Sequence, residues 1–194
     1  MASPYVDLPP HEWLGATEAL VADHPLDAGE IVEVVLSSWA AIFESRLAGK
    51  FIIGRDIFPK PQIMGFLLHE LVPLELSSRY PGIWRPEKLK NDKDIVYVPD
   101  DRMSVEIKTS SSAGSIFGNR SYAQETQGEG KTKSGYYLAI NFGKFAGGTL
   151  PEIALIRFGW LDHVDWLGQR AASGQQARLS PAVEQGKLLS LYRR

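Results

Sequence analysis

The chain has no cysteine among its 194 residues. This absence excludes disulfide bonds, thiolate metal sites and cysteine nucleophiles. Because a chain without disulfides suits a reducing compartment, we expect this protein in the cytoplasm.

Long apolar runs are missing as well. No eighteen consecutive residues are apolar, and the opening segment MASPYVDLPP does not place basic residues before an apolar stretch. We therefore expect neither a membrane-spanning helix nor export through a cleaved signal peptide.

The chain also lacks an excess of positive charge. Its 21 Lys and Arg residues are outnumbered by 23 Asp and Glu residues, which gives a formal net charge of -2. The molecule as a whole is not a polycation attracted to nucleic acid. Any such binding must come from a local patch.

Several common catalytic motifs do not occur in the sequence. There is no G-x-S-x-G motif, and GEGKT lacks the first glycine of a phosphate-binding loop because position 125 is glutamate. The histidines have no metal-ligand spacing, so we interpret them as surface or packed residues. They are His11, His24, His69 and His163.

The apolar content is sufficient for one core. Hydrophobic residues make up 44% of the chain, which favours a single domain over residues 1–194. The proline-rich start predicts an irregular arm over 1–26. Asp27 and Glu30 have the spacing of a helix capping box, and the apolar periodicity predicts a helix over 28–47.

A second helix is predicted to begin at Pro61, which suits the first turn of a helix, and to end at Pro73. Its apolar residues form one expected stripe. The stripe consists of Ile63, Phe66, Leu67, Leu71 and Leu74. Glu70 lies within it, and a buried carboxylate needs a partner.

The pattern changes to two-residue alternation between Asp94 and Thr109. The segments DIVYV and MSVEIKT, separated by the polar PDDR, predict an antiparallel hairpin. GYYLAINF and EIALIRF predict two more strands, so the sheet has at least four. IFGNRSYAQ predicts a further helix, TQGEGKTKSG a polar loop, and SPAVEQGKLLSLY a closing helix that starts at Ser180.

The hairpin carries the most specific chemical pattern in the chain. Because side chains alternate along a strand, Glu106 and Lys108 share one face while Ile107 points into the core. Folding near Asp100 brings Asp94 alongside them, although a register change of one residue would turn Asp94 to the other face.

Two carboxylates and an ammonium suit the hydrolysis of a phosphodiester. This reaction needs an attacking water and stabilisation of the negative charge that develops, and Mg²⁺ bridged by carboxylates can supply both. Asp94 and Glu106 would hold the metal, while Lys108 would orient the water and offset charge. The same triplet also occurs by chance on exposed strands.

These residues resemble the PD-(D/E)xK nucleases, in which an acid opens one strand and an acid-x-lysine triplet lies on the next. Glu106-Ile107-Lys108 fits the triplet, and Asp94 heads an apolar strand as the first acid of that group does. A literal Pro-Asp pair ends at Asp100 in the expected turn, so Asp100 remains the alternative first ligand.

A longer stretch, residues 54–166, is similar to the ScaI-type restriction endonucleases. The similarity lies in GRDIFPKPQIMGFLLHEL, KDIVYVPD, EIKTSS, IFGNRSYAQ, KSGYYLAINF and LIRFGWLDHVDW. It implies an α/β fold with a restriction-endonuclease-like mixed central sheet flanked by helices, in a prokaryotic protein.

The resemblance also implies a function. A type II restriction endonuclease is a Mg²⁺-dependent enzyme that cuts double-stranded DNA at a short palindrome, here AGTACT with blunt ends. Such an enzyme is expected to be a homodimer, because a twofold-symmetric site is matched by a twofold-symmetric protein. A companion methyltransferase would protect the same site in host DNA.

Many enzymes of this fold add a glutamate from the helix before the hairpin. Glu70 is the natural candidate for this fourth catalytic residue, and Glu75 near the expected helix end is the substitute. The alternative is that Glu70 lies at the edge of the stripe or pairs with a lysine.

Polar side chains after the triplet are candidates for DNA contacts. Amides and arginine are suited to base edges, whereas hydroxyls and lysines contact phosphates and make binding sensitive to salt. The candidates are Ser110, Ser111, Asn119, Arg120, Ser121, Gln124, Lys131 and Lys133. A plain surface helix is the alternative interpretation.

Two other functions remain open at this point. A DNA repair or junction-resolving nuclease would share the metal site but recognise DNA structure instead of sequence. A DNA-binding module without catalysis would use the same carboxylates only as hairpin surface.

Overall fold

The computed structural model describes residues 3–124, 132–170 and 174–194. The strands are β1 (Arg46–Leu47), β2 (Phe51–Ile52), β3 (Trp84–Pro86), β4 (Ile95–Tyr97), β5 (Val105–Ser110), β6 (Phe117–Asn119), β7 (Gly135–Phe142), β8 (Ile153–Leu161), β9 (Leu167–Gly168), β10 (Gln176–Arg178) and β11 (Leu189–Arg193). The helices are α1 (Trp13–Ala22), α2 (Ala28–Glu44), α3 (Pro61–Arg79) and α4 (Pro181–Gly186).

A mixed six-stranded sheet in the order β11-β8-β7-β5-β4-β3 forms the centre of the molecule. β5 and β7 run parallel, and the other neighbouring strands pair antiparallel. The expected hairpin is confirmed, with Ile95 of β4 opposite Val105 of β5. The expected α/β class, a mixed central sheet flanked by helices, is confirmed too.

The sheet is covered on both faces. Along β7, Tyr136 and Leu138 belong to the core cluster that includes residues of α1, α2 and α3, whereas Tyr137 and Ala139 belong to a second cluster. Residues of β10 and α4 contribute to this second cluster. This double coverage explains why β7 is an almost continuous apolar run.

Helix α2 begins where the capping residue predicts. The Asp27 carboxylate accepts hydrogen bonds from the backbone N–H groups of Gly29 and Glu30. The helix ends at Glu44, three residues before the predicted position 47, because Ser45 takes an extended backbone conformation.

Helix α3 departs from the prediction in length and in its buried face. It continues through Pro73 to Arg79. The proline removes one backbone hydrogen bond, but Val72 just before it and Leu76 three residues after it are buried and hold the helix against the core. The core is reached by Met64, Leu68, Val72 and Leu76.

The predicted stripe of α3 was therefore only partly right, because two of its members, Leu67 and Leu71, are partly buried and pack against the core. Ile63, Phe66 and Leu74 are each more than half exposed. The helix has apolar residues on two faces, and periodicity alone does not say which of them meets the sheet.

The predicted helix over IFGNRSYAQ was wrong. Residues Phe117–Asn119 form β6, and Arg120–Ala123 form a single 3-10 turn. β6 pairs with β10, which pairs in turn with β9. Since the pairing partner lies far along the chain, no local pattern indicates it.

Two terminal predictions also need correction. The expected irregular arm over 1–26 contains helix α1, whose residue Val21 packs in the core. The closing helix begins at Pro181 with Ser180 as its cap, as predicted, but it stops at Gly186. The segment after it forms the edge strand β11, because pairing with β8 outweighs its local helical periodicity.

In the parts of the chain that the structure describes, no helix is both long enough and apolar enough to span a membrane.

Candidate active site

The hairpin brings Asp94 and Glu106 together. Ile95 lies opposite Val105, and continuing this antiparallel register by one residue places Asp94 opposite Glu106 on the same face. The Asp94 carboxylate accepts a hydrogen bond from the backbone N–H of Ile107, with an Oδ2–N distance of 2.6 Å. The register that the sequence left open is thus the one that pairs the two acids.

Lys108 lies on β5, the strand that carries Glu106, and contacts that glutamate. Its Nζ donates to Glu106 Oε1 at 2.8 Å and to the carbonyl oxygen of Ile107 at 3.0 Å. Glu106 is only 2% exposed, so its charge interacts strongly with the neighbouring ammonium. The alternation that predicted a shared face for Glu106 and Lys108 is confirmed.

Tyr122 is a neighbour that the sequence did not indicate as part of this group. Its hydroxyl donates a hydrogen bond to Glu106 Oε1, and Lys108 Nζ lies 4.6 Å from the centre of its ring. Burial and the negative charge of Glu106 raise the pKa of the Tyr122 hydroxyl well above its ordinary value, so it acts as a hydrogen-bond donor. Tyr122 lies on the 3-10 turn that replaces the predicted helix.

Helix α3 contributes His69 to the site. Its Nδ1 lies 3.6 Å from Asp94 Oδ2. The helix comes close to β5 because Gly65, one turn earlier, has no side chain, and a Cβ there would lie 2.5 Å from Thr109 Oγ1. In the sequence, no spacing rule connects His69 to the hairpin, and we therefore expected it to be an ordinary surface or packed histidine.

The structure places the two candidate glutamates of α3 differently. Glu70 is exposed, and it lines the same groove as His69. Glu75 accepts a hydrogen bond from Arg79 Nε at 2.8 Å. The residue that α3 brings to the acid pair is therefore His69, one position before the predicted Glu70.

Asp100 lies away from this arrangement. It follows β4, caps the 3-10 turn Asp101–Met103, and pairs with Arg102 at 2.6 Å. The Arg102 guanidinium lowers the pKa of the Asp100 carboxyl. Asp94, at the other end of β4, is the acid that meets Glu106.

A groove of ≈ 720 Å³ runs beside the site. His69 and Glu70 lie on its helical side, and Ser110 and Ser111 line it where β5 ends. Glu87, Lys144 and Gln176 also line it. The groove is lined by both polar and apolar side chains, and it adjoins the acid-lysine group through His69, which contacts Asp94, and through Thr109, which follows Lys108 on β5.

Comparison with known proteins gives the family. The sequence model of the ScaI restriction endonuclease family matches residues 3–192. The chain belongs to the ScaI restriction endonuclease family. It is 48% identical over 193 residues to the type II restriction enzyme ScaI of Streptomyces caespitosus, covering 98% of this chain and 85% of that protein. The similarity to ScaI-type enzymes is therefore confirmed.

Among the predicted DNA contacts, Ser110 and Ser111 are half-buried and line the groove. Asn119 is exposed at the end of β6. Arg120 is anchored to the loop before β10, since its backbone N–H and its Nη1 donate to the carbonyl oxygens of Gln175 and Gly174.

The remaining candidates lie around the same turn. Lys133 Nζ donates to the carbonyl oxygen of Ser121 at 2.5 Å and to that of Gln124 at 3.4 Å, so this lysine ties the turn to the start of β7. Ser121 and Gln124 are exposed. Lys131 lies outside the described residues.

The donor set of this ScaI family member fits a hard divalent cation. Within the described residues, no group of three or more His, Asp or Glu side chains is arranged around a common metal position. Mg²⁺ in proteins often has only one or two carboxylate ligands and keeps water and substrate phosphate oxygens as the others. Asp94 and Glu106, facing each other across two strands, provide such a pair.

Proposed function

We propose that the chain is a Mg²⁺-dependent type II restriction endonuclease that cleaves double-stranded DNA at the group formed by Asp94, Glu106 and Lys108. The observation that supports this most is the register of the hairpin, which puts both carboxylates beside Lys108, next to an open groove, in a ScaI family protein.

In this proposal Asp94 and Glu106 hold the metal ion. The bound ion supplies Lewis-acid stabilisation of the charge on the scissile phosphate and favours deprotonation of the attacking water. Two protein contacts set the orientation of the carboxylates: the N–H of Ile107 fixes Asp94, and the ammonium of Lys108 fixes Glu106.

Lys108 is proposed to orient the attacking water and to offset negative charge in the transition state. Its ammonium is half-buried between a carboxylate and the face of an aromatic ring. A charge held in a partly desolvated position acts more strongly than one in bulk water.

The groove is proposed to hold the DNA backbone. The hydroxyls of Ser110 and Ser111 would contact phosphate oxygens and set the register of the duplex. Asn119, Arg120 and Gln124 would approach base edges, while Lys133 and Lys131 would contact phosphates. The exposed hydroxyl of Ser121 would contact a phosphate as well.

We further propose a homodimer in which each subunit cuts one strand of a palindrome, expected to be AGTACT with blunt ends. Twofold symmetry of the protein would match twofold symmetry of the target. A methyltransferase acting on the same sequence would protect host DNA.

Digestion of unmethylated plasmid tests this function. The purified protein is incubated with and without Mg²⁺, and the fragment ends are sequenced. Discrete Mg²⁺-dependent fragments with one common end sequence support the proposal. A smear indicates a nonspecific nuclease, selective cutting of branched substrates indicates a repair or junction enzyme, and no cleavage with Mg²⁺ or Mn²⁺ indicates a binding module.

A further inference from the structure

Tyr122 lies between the proposed DNA-contacting segment and the proposed metal ligand. Its position is the 3-10 turn Arg120–Ala123, directly after β6. Its hydroxyl reaches across to Glu106 on β5. The proposed function assigns no task to this contact.

The contact determines how the Glu106 carboxylate is oriented. Oε1 of Glu106 accepts hydrogen bonds from two donors, the Tyr122 hydroxyl and Lys108 Nζ. Two donors occupy both lone pairs of that oxygen, so coordination of a cation falls to Oε2. Tyr122 and Lys108 together therefore determine which oxygen of Glu106 would coordinate a cation.

The ring of Tyr122 has little freedom to move. Lys108 Nζ lies 4.6 Å from its centre, and the ring of Trp166 packs at a centroid distance of 5.3 Å. Gly118 of β6 approaches so closely that an added Cβ would lie 3.2 Å from the rings of both Tyr122 and Trp166. Because of this close approach, a displacement of β6 towards the ring would push on Tyr122.

β6 and the turn also carry the side chains that are expected to approach DNA bases. Asn119 ends β6, and Arg120 begins the turn, two residues before Tyr122. The same short segment therefore faces the expected DNA on one side and the Glu106 carboxylate on the other.

We propose that Tyr122 is a positioning residue that couples β6 to the metal site. Its hydroxyl holds Glu106 in the orientation that binds the cation, and its ring makes that orientation depend on the position of β6. This inference rests on the proposed function, because it assumes that Glu106 is a metal ligand.

Tyr122→Phe removes the hydroxyl that bonds to Glu106 and keeps the aromatic ring, so it tests the role of that hydrogen bond. The measurement is the dissociation constant of Mn²⁺ for the free protein, followed by the electron paramagnetic resonance signal of unbound Mn²⁺, so that neither DNA nor cleavage is required. We expect the dissociation constant to rise about 10- to 100-fold, the range seen when the hydrogen-bond partner of a metal ligand is removed. In cleavage assays, the Mg²⁺ concentration for half-maximal rate should rise more than the rate at saturating Mg²⁺ falls.

Gly118→Ala tests whether the contact between β6 and the Tyr122 ring affects metal binding, and it changes none of the residues at the site. The added methyl has to push against the Tyr122 and Trp166 rings, so we expect weaker Mn²⁺ binding in the same direction as for Tyr122→Phe. Tyr192→Phe on the edge strand β11 is the matched control, and it should bind Mn²⁺ like the wild type.

The outcomes separate this inference from the function on which it rests. If the wild type binds Mn²⁺ and cleaves DNA but Tyr122→Phe binds Mn²⁺ equally well, the tyrosine only packs, and the inference is overturned while the function stands. Tighter Mn²⁺ binding in Tyr122→Phe would also overturn it, because the hydroxyl would then compete with the metal. A wild type that neither binds Mn²⁺ nor cleaves DNA would overturn both.

Discussion

At the scale of single residues, the shared face of Glu106 and Lys108 was predictable from strand alternation, whereas the face of Asp94 depended on the hairpin register, which the sequence left open. The two-residue period of a strand is enough to place Glu106 and Lys108 on one face. Placing Asp94 beside them also requires the hairpin. His69 and Tyr122 were not predictable, because their contacts depend on how α3 and the turn after β6 pack on β5. Non-local packing leaves no spacing signal in the sequence.

Replacing Lys108 tests its proposed role directly. Lys108→Ala should lower the single-turnover cleavage rate at least ~100-fold, because a positioned charge of this kind contributes that much to catalysis. Binding of the same duplex in the absence of metal should change little. Lys50→Ala, on an exposed lysine between β1 and β2, is the control. Full activity of Lys108→Ala would remove the lysine from the mechanism.

At the scale of elements, strands with strong alternation were found where the sequence placed them, whereas the buried face of a helix with apolar residues on two sides was predicted only in part. α3 is the clearest case, since Leu68 is fully buried while Phe66 is 58% exposed. β6 and β11 were both expected as helix, and each became a strand through pairing with a distant partner. Pairing with a distant strand outweighs the local preference of these segments for helix.

The orientation of α3 can be checked by thermodynamic stability. Leu68→Ala should lower the free energy of unfolding by about 2–5 kcal/mol, the usual cost of truncating a buried leucine. Phe66→Ala on the same helix should lower it by less than about 1 kcal/mol. Chemical denaturation of both variants gives the two values. A larger loss for Phe66→Ala would mean that the predicted stripe, and not the observed one, meets the sheet.

Asp92, in the turn between β3 and β4, is expected to make the stability of the folded protein depend on pH. Asp92 accepts hydrogen bonds from Arg85 Nη1 and from the backbone N–H groups of Lys88 and Leu89. The ion pair with Arg85, followed by these backbone contacts, lowers the pKa of Asp92 from its ordinary 3.8 to about 2. A lowered pKa in the folded state means that the carboxylate stabilises the protein above pH ~4, and that this contribution is lost as the pH falls towards 2.

Asp92→Asn isolates that contribution. At pH 6 the variant should unfold with a free energy about 2 kcal/mol below that of the wild type, from a shift of roughly two pKa units. The difference should shrink steadily between pH 4 and pH 2. A difference that stays constant over this interval would show that the Asp92 carboxyl is not perturbed.

At the scale of the whole molecule, the net charge of -2 requires that any attraction to DNA is local. The groove beside the acid pair includes Lys144, which is an isolated lysine in the sequence and therefore carries no pattern that indicates DNA binding. The sheet separates the two sides of the molecule: α1, α2 and α3 pack on one face, and the small sheet with Tyr122 packs on the face that carries Glu106 and Lys108.

Salt dependence shows whether the groove is the DNA-binding surface. Each phosphate contact contributes about 0.9 to the slope of log K against log salt concentration. Lys144→Ala should therefore reduce the slope by about one and weaken binding to all sequences alike. Lys50→Ala should leave the slope unchanged. An unchanged slope for Lys144→Ala would place the DNA on another surface.

The most direct test of the central proposal compares the two candidate first acids. Asp94→Asn keeps an oxygen that can accept the hydrogen bond from Ile107 but loses the charge, whereas Asp100→Asn loses only a surface pair with Arg102. With Mg²⁺ and plasmid DNA, we predict at least a ~100-fold loss of single-turnover cleavage for Asp94→Asn and near-normal cleavage for Asp100→Asn. An active Asp94→Asn together with an inactive Asp100→Asn would contradict the assignment of the site.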